Sequence, residues 1–208
     1  MGSENDRELI QIVDARLAEA VRRGGDWIAC RPGCAECCLG VFAINALDVA
    51  RLRAALAELQ ASDPARAGRI VDRARRAVAA WGASFPGDPA TGILGEDAQS
   101  QARFETFAND EPCPVLDPVT HHCELYSARP MTCRCFGPAL LDGDGAVQAC
   151  ELCYTGASDE QIAACALAVD PDAHETAALA TLEQETGARG ATVVAYAIAL
   201  APVATGNR

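Results

Sequence analysis

The chain has 208 residues, half of them hydrophobic but only 5% aromatic, and its 29 acidic residues outweigh 17 basic ones, all arginine, to leave a formal net charge of -12. That length supports one sizeable core and demands no second domain, so a single unit over residues 1–208 is expected. The acidity argues against nucleic acid as a partner, and the absence of lysine excludes a Walker phosphate loop, a Schiff-base lysine and a pyridoxal-phosphate anchor.

No basic segment followed by an apolar run opens the chain, and no apolar stretch reaches the ~18 residues that cross a bilayer. A cytoplasmic protein without a membrane partner is expected. In that reducing compartment cysteines persist as thiols and point to metal binding or catalysis rather than to a disulfide framework.

The first predicted helix spans Glu4 to Arg23, with Leu9, Val13, Leu17 and Val21 on one side, and Gly24-Gly25 ends it. A loop of cysteines follows, kept irregular by Pro32, Gly33 and Gly40. Asn45 caps the next helix, whose stripe is Val49, Leu52, Leu56 and Leu59. Asp63-Pro64 caps a third, with Ile70, Val71, Ala74, Val78 and Trp81 inward.

Ser84 to Gly95 reads as a surface connection, and a shorter helix from Asp97 to Ala108 turns Phe104 and Phe107 inward. The pairs Val115-Leu116 and Glu124-Leu125-Tyr126 suit a small hairpin around Asp117-Pro118. Ser158 and Gln161 form a capping box, and a further helix follows Pro171 through Leu179 and Leu182. Ala191 to Ala201 begins like a strand and continues like a helix; helix is preferred because no partner strand is evident. The expected fold is mainly α, with irregular cysteine-bearing loops and room for one small β-hairpin.

Eleven cysteines carry the functional information. Four stand as Cys30-x3-Cys34-x2-Cys37-Cys38, and Cys113, Cys123 and Cys133 recur at equal steps, followed by Cys135, Cys150-x2-Cys153 and Cys165. Adjacent cysteines such as Cys37 and Cys38 can scarcely bridge one another, whereas their thiolates readily serve a metal. The helical excursion over 45–108 costs little extra loop entropy, so a metal can staple the early and late cysteines together.

The ordered set Cys30-x3-Cys34-x2-Cys37-Cys38, Cys113-Pro114-x-Leu116 and Cys123-x-Leu125-Tyr126-x2-Arg129-Pro130-x2-Cys133-Arg134-x-Phe136 resembles the YkgJ-type cysteine-cluster family of zinc- or iron-chelating domains. The motifs run from residue 30 to residue 136. The resemblance implies a metal or iron-sulfur centre ligated by Cys30, Cys34, Cys37, Cys38, Cys113, Cys123 and Cys133. The same domain appears in flagellin lysine methylases. Cys135 departs from the pattern, and Cys150 and Cys153 are judged on their spacing, which suits ligation, a redox dithiol or burial.

Structural zinc takes four ligands, commonly as two C-x2-4-C pairs, whereas cubane clusters take four thiolates from irregular positions. The thiols outnumber either requirement, which implies two centres or one centre beside redox-active thiols. Irregular spacing favours an iron-sulfur cluster, [4Fe-4S] foremost, in electron transfer or a redox reaction with a protein partner. A structural zinc module for protein interaction is the alternative. A third reading is a cluster-dependent enzyme such as an S-adenosylmethionine-using methylase, because Cys30-x3-Cys34-x2-Cys37 has the spacing of radical enzymes. Glu36 and the lack of strand-helix alternation speak against it.

Arg31, Arg129 and Arg134 are candidates to offset the charge of a thiolate centre, with Arg134 and Arg129 foremost. His121-His122 and Tyr126 read as loop and packing residues, and Cys165 as a small buried hydrophobe. No catalytic residue is assigned.

Overall fold

The computed structural model describes residues 4–201, so the ends of the expected 1–208 unit lie outside the described residues. Helix makes up 53% of the described residues. The helices are α1 (Glu4–Gly24), α2 (Ala46–Ser62), α3 (Pro64–Trp81), α4 (Ala98–Phe104), α5 (Met131–Cys135), α6 (Asp159–Cys165), α7 (His174–Thr186) and α8 (Val194–Ala199). Two antiparallel strand pairs interrupt them: β1 (Gly87–Asp88) with β2 (Ile93–Leu94), and β3 (Leu140–Leu141) with β4 (Val147–Gln148). The chain is mainly α. None of its described helices is long and apolar enough to cross a membrane.

The caps form as their chemistry requires. Asn45 accepts from the Leu47 and Asp48 amides at 3.0 and 3.1 Å while Asp48 accepts from the Asn45 amide, a reciprocal box that starts α2. Asp63 closes α2 and starts α3 in one residue, its carboxylate accepting from Arg66 N–H. Ser158 and Gln161 make the second box, at α6.

The principal core lies among α2, α3 and α8, where Leu52, Leu56, Ile70, Ala74 and Ile198 meet Val115 and Leu125 from the cysteine region. Cys113 and Cys123 pack on its edge. Leu9, Val13 and Leu17 of α1 face Leu47, Leu140, Leu167 and Ala178 in a second cluster, which Met131 and Cys135 border. A third holds Trp81, Phe85 and Tyr196.

Several expectations shift in position. Val21 is 43% exposed, and Ala20 occupies the buried stripe instead. Four residues turn a helix slightly more than one revolution, so a strict four-residue series rotates off its face after three steps. The connection over 84–95 is not merely superficial: it contains β1 and β2 and buries Phe85 and Pro86. Residues 115–126 form no strand pair. Leu116 and Cys123 make a single antiparallel bridge, with the Glu124 amide donating to the Val115 carbonyl at 2.8 Å and the Asp117 amide to the His122 carbonyl at 2.9 Å, and Pro114 and Pro118, which lack an N–H, flank it. At 191–201 both tendencies are realised in sequence: Thr192 bridges Ile44 like a strand, and α8 begins two residues later.

Candidate metal centre

The early cysteine loop is two consecutive tight turns. In the first, the Cys34 amide donates to the Arg31 carbonyl at 3.0 Å; in the second, the Cys38 amide donates to Ala35 at 2.8 Å within a short helical turn over Glu36–Cys38. Cys34 therefore closes the first turn, with Cys30 just before it, and Cys37 and Cys38 lie in the second. The second turn is tied to the returning chain by the Cys113 amide, which donates to the Cys38 carbonyl at 2.7 Å. Gly40, at φ +80°, permits this approach: a β-carbon there would stand 2.8 Å from the Asn109 carbonyl oxygen.

Five thiols gather on this side. The neighbouring Cys37 and Cys38 thiols act most strongly on each other, which lowers Cys37 and raises Cys38. Burial raises Cys113 to about 12, and Cys123 and Cys37 beside it act in the same direction. Cys133 is raised by burial and by Cys113, Cys37 and Cys123. Cys37, Cys113, Cys123 and Cys133, drawn from three separate segments, thus influence one another's thiols, and Cys37, Cys113 and Cys123 act on Cys38 as well.

Two buried acids hold these segments. The Glu124 side chain, only 1% exposed, accepts from Arg66 at 2.8 Å and from Arg73, while Arg73 also donates to the Pro114 carbonyl. That clamp fixes the Cys113 and Cys123 segment to α3. Asp48 accepts from the Met131 amide at 2.9 Å and so anchors α5, which carries Cys133, to the start of α2. Neither role was anticipated from the sequence, where Asp48 signals only a cap. An acid directly after Cys123 was the available hint for Glu124.

Four further cysteines are associated on another side. Burial first, then Cys153, Cys34 and Cys150, raise the Cys30 thiol to about 12. The Cys150 amide donates to the Gly137 carbonyl at 3.2 Å, and the Cys153 amide closes a turn on the Cys150 carbonyl at 2.9 Å. Cys150 and Cys153 pack with Trp27, Ile28 and Ala29 in a fourth apolar cluster, joined by the Tyr154 amide donating to the Trp27 carbonyl. The spacing Cys30-x3-Cys34-x2-Cys37 is thereby divided between the two groups.

All eleven cysteines are free thiols. Among the described residues, no three His, Cys, Asp or Glu donors are drawn up closely enough to hold a metal ion as they stand. The fit to a metal lies in donor chemistry: both groups consist of sulfur alone, each thiol swings on one side-chain torsion, and metal binding would displace the protons that burial now favours.

Arg129 acts by its charge to lower Cys37 and to oppose the burial that raises Cys123, while its guanidinium lies 4.0 Å from the centre of the Tyr126 ring; Arg73 opposes the burial of Cys113 in the same way. Arg134 is buried and directed elsewhere, to Asp14 at 2.7 Å and the Ser127 carbonyl. Arg31, His121 and His122 are exposed, and the histidine pair sits in the turn closed by Asp117. Cys135 has Glu175 and Arg134 rather than thiols as its main neighbours, and burial raises it to about 11. Cys165 is buried, its sulfur 3.3 Å from the Arg23 carbonyl.

A helical frame presenting cysteine groups on irregular turns defines a thiol-rich chelating domain. The family model CxxCxxCC, described as "Putative zinc- or iron-chelating domain", matches residues 29–154, and the chain belongs to that family. No curated protein and no solved structure matches it.

Proposed function

We propose that Cys37, Cys113, Cys123 and Cys133 ligate an iron-sulfur cluster, with Cys38 as a hydrogen-bond donor to the Cys37 sulfur, and that the protein transfers electrons or supports a redox reaction. The observation that carries this reading is the meeting of three segments of irregular origin, the Cys113 amide on the Cys38 carbonyl at 2.7 Å and α5 tied to α2 through Asp48, whose Cys37, Cys113, Cys123 and Cys133 thiols influence one another, an origin that suits a cubane. A bound cluster supplies a one-electron carrier. Around it, Arg129 offsets negative charge, and the Cys38 S–H withdraws density from a ligand sulfur.

A redox partner protein, in a reducing cytoplasmic compartment that preserves thiols, completes the proposal. Exposed Leu39, Tyr126 and Phe136, each close in sequence to a thiol of this group, offer such a partner apolar contact.

Purification without oxygen tests the assignment. The expected product is brown, contains iron and acid-labile sulfide, and shows broad visible absorption that bleaches on reduction. A colourless protein holding zinc alone, after growth with ample iron, overturns the iron-sulfur reading.

A further inference from the structure

We infer that the exposed side of α3 is a docking surface for an acidic α-helix of another protein. This goes beyond the metal centre and does not depend on it.

Charge is unevenly spread over the chain. The net charge is -12, yet α3 carries five of the 17 basic residues and only one of the 29 acidic ones, Asp72. Four of the five, Arg66, Arg69, Arg73 and Arg76, follow one another at steps of three and four residues, so they share one side of the helix. An acidic partner is repelled by most of the surface and attracted here, which orients its approach.

The inner half of this row shows what it accepts. Arg66 and Arg73 bracket the Glu124 carboxylate, Arg66 at 2.8 Å. Arg69 and Arg76 repeat the same spacing three positions further on. Both are exposed, and among the described residues neither has an ion-pair partner; Asp72, between them in sequence, pairs with neither. Their planar guanidiniums suit carboxylates, and two of them offer too few phosphate contacts to hold a nucleic acid against the repulsion of the remaining chain.

The backbone beside the row is open to close approach. Ala65, Gly68, Asp72 and Ala79 run alongside it, all small, and the other three are exposed where Gly68 is half-buried. Glycine is a poor helix former, and nothing in this chain requires it at 68: outside the helix's own backbone, no atom lies within 4 Å of where its β-carbon would stand. A second helix laid against this face gives the glycine a purpose, because the distance between packed helices is set by the side chains at their contact. Such a helix also presents its carboxylates at the three- and four-residue steps of the arginines.

The test is fluorescence anisotropy with the whole protein and a labelled, alanine-based helical peptide bearing glutamates along one side, beside the same peptide with glutamines and a DNA duplex. The glutamate peptide should bind, and more weakly as salt is raised. Arg69→Glu/Arg76→Glu should lower its affinity by about tenfold or more, and Asp72→Asn should raise it. Gly68→Ala should raise the unfolding temperature of the free protein and yet weaken binding. Equal binding of the glutamine peptide, tighter binding of the duplex, an unchanged affinity in the folded double variant, or a Gly68→Ala protein that binds as before would each overturn the proposal. Should the double variant fail to fold, Asp72→Asn decides: tighter binding supports the docking surface, and unchanged or weaker binding overturns it.

Discussion

Cys37→Ser and Cys133→Ser will each lower iron and sulfide content by about tenfold or more, whereas Cys165→Ser will leave both unchanged. Cys37 adjoins every other thiol of its group, and Cys133 is the only one contributed by α5. Serine preserves size but offers a hydroxyl of very high pKa in place of a thiolate, so a single exchange leaves an iron uncoordinated. Cys165 instead contacts the Arg23 carbonyl and an apolar cluster.

Cys38→Ser discriminates further. If Cys38 donates to Cys37 without ligating, a serine hydroxyl can replace the donor and most iron stays, with an altered reduction potential. Iron and sulfide analysis beside redox titration of the four variants reads all these outcomes. Equal losses in all four would remove Cys37 and Cys133 from their assigned place.

The helical frame was largely legible because its signals are local. Asn45 with Asp48, Asp63-Pro64, and Ser158 with Gln161 are caps whose partners lie within three residues, and each appears where the spacing places it. The strand pairs were not, since two-residue strands carry no alternation to detect and Gly87 and Gly92 signal only a turn. The small hairpin was sought among the residues that prefer β structure, at 115–126, where only the Leu116–Cys123 bridge forms, flanked by Pro114 and Pro118.

The candidate site was legible as a set of residues and illegible as an arrangement. Cysteine spacing identifies ligand chemistry but carries no direction, so one motif of four cysteines reads as one centre. Its division arises from the backbone: Arg31 to Cys34 and Ala35 to Cys38 are successive turns, and the returning chain meets them at different places. Cys113 comes to the second turn, whereas Cys150 and Cys153 come to the first by way of Gly137. Arg134 illustrates the same limit. Its place within the motif suggests a role beside the thiols, while its pairing depends on Asp14, a residue of α1 far away in sequence.

Asp48 links the frame to the proposed ligands, and its replacement carries the largest expected effect on stability. It is 2% exposed, accepts from the Met131 and Asn45 amides, and lies 3.2 Å from Arg51, which also pairs with Asp6. Asp48→Ala removes the acceptor for two amides and one of two counter-charges to a buried guanidinium, a loss of about 3 kcal/mol.

Asp48→Asn should cost far less, because its side-chain oxygen can still accept from Met131 and burial already disfavours the charge. Burial outweighs Arg51 and the backbone donors, raising the Asp48 carboxyl above the ordinary aspartate range. The folded state therefore retains a proton that the unfolded chain releases, and stability conferred by Asp48 declines as pH rises through the window between the unfolded and folded values. Urea unfolding across that window should show this decline in the unaltered protein and its absence in the Asn variant. An Ala variant as stable as the Asn variant would show that the Met131 and Arg51 contacts contribute nothing to anchoring α5, and with it Cys133.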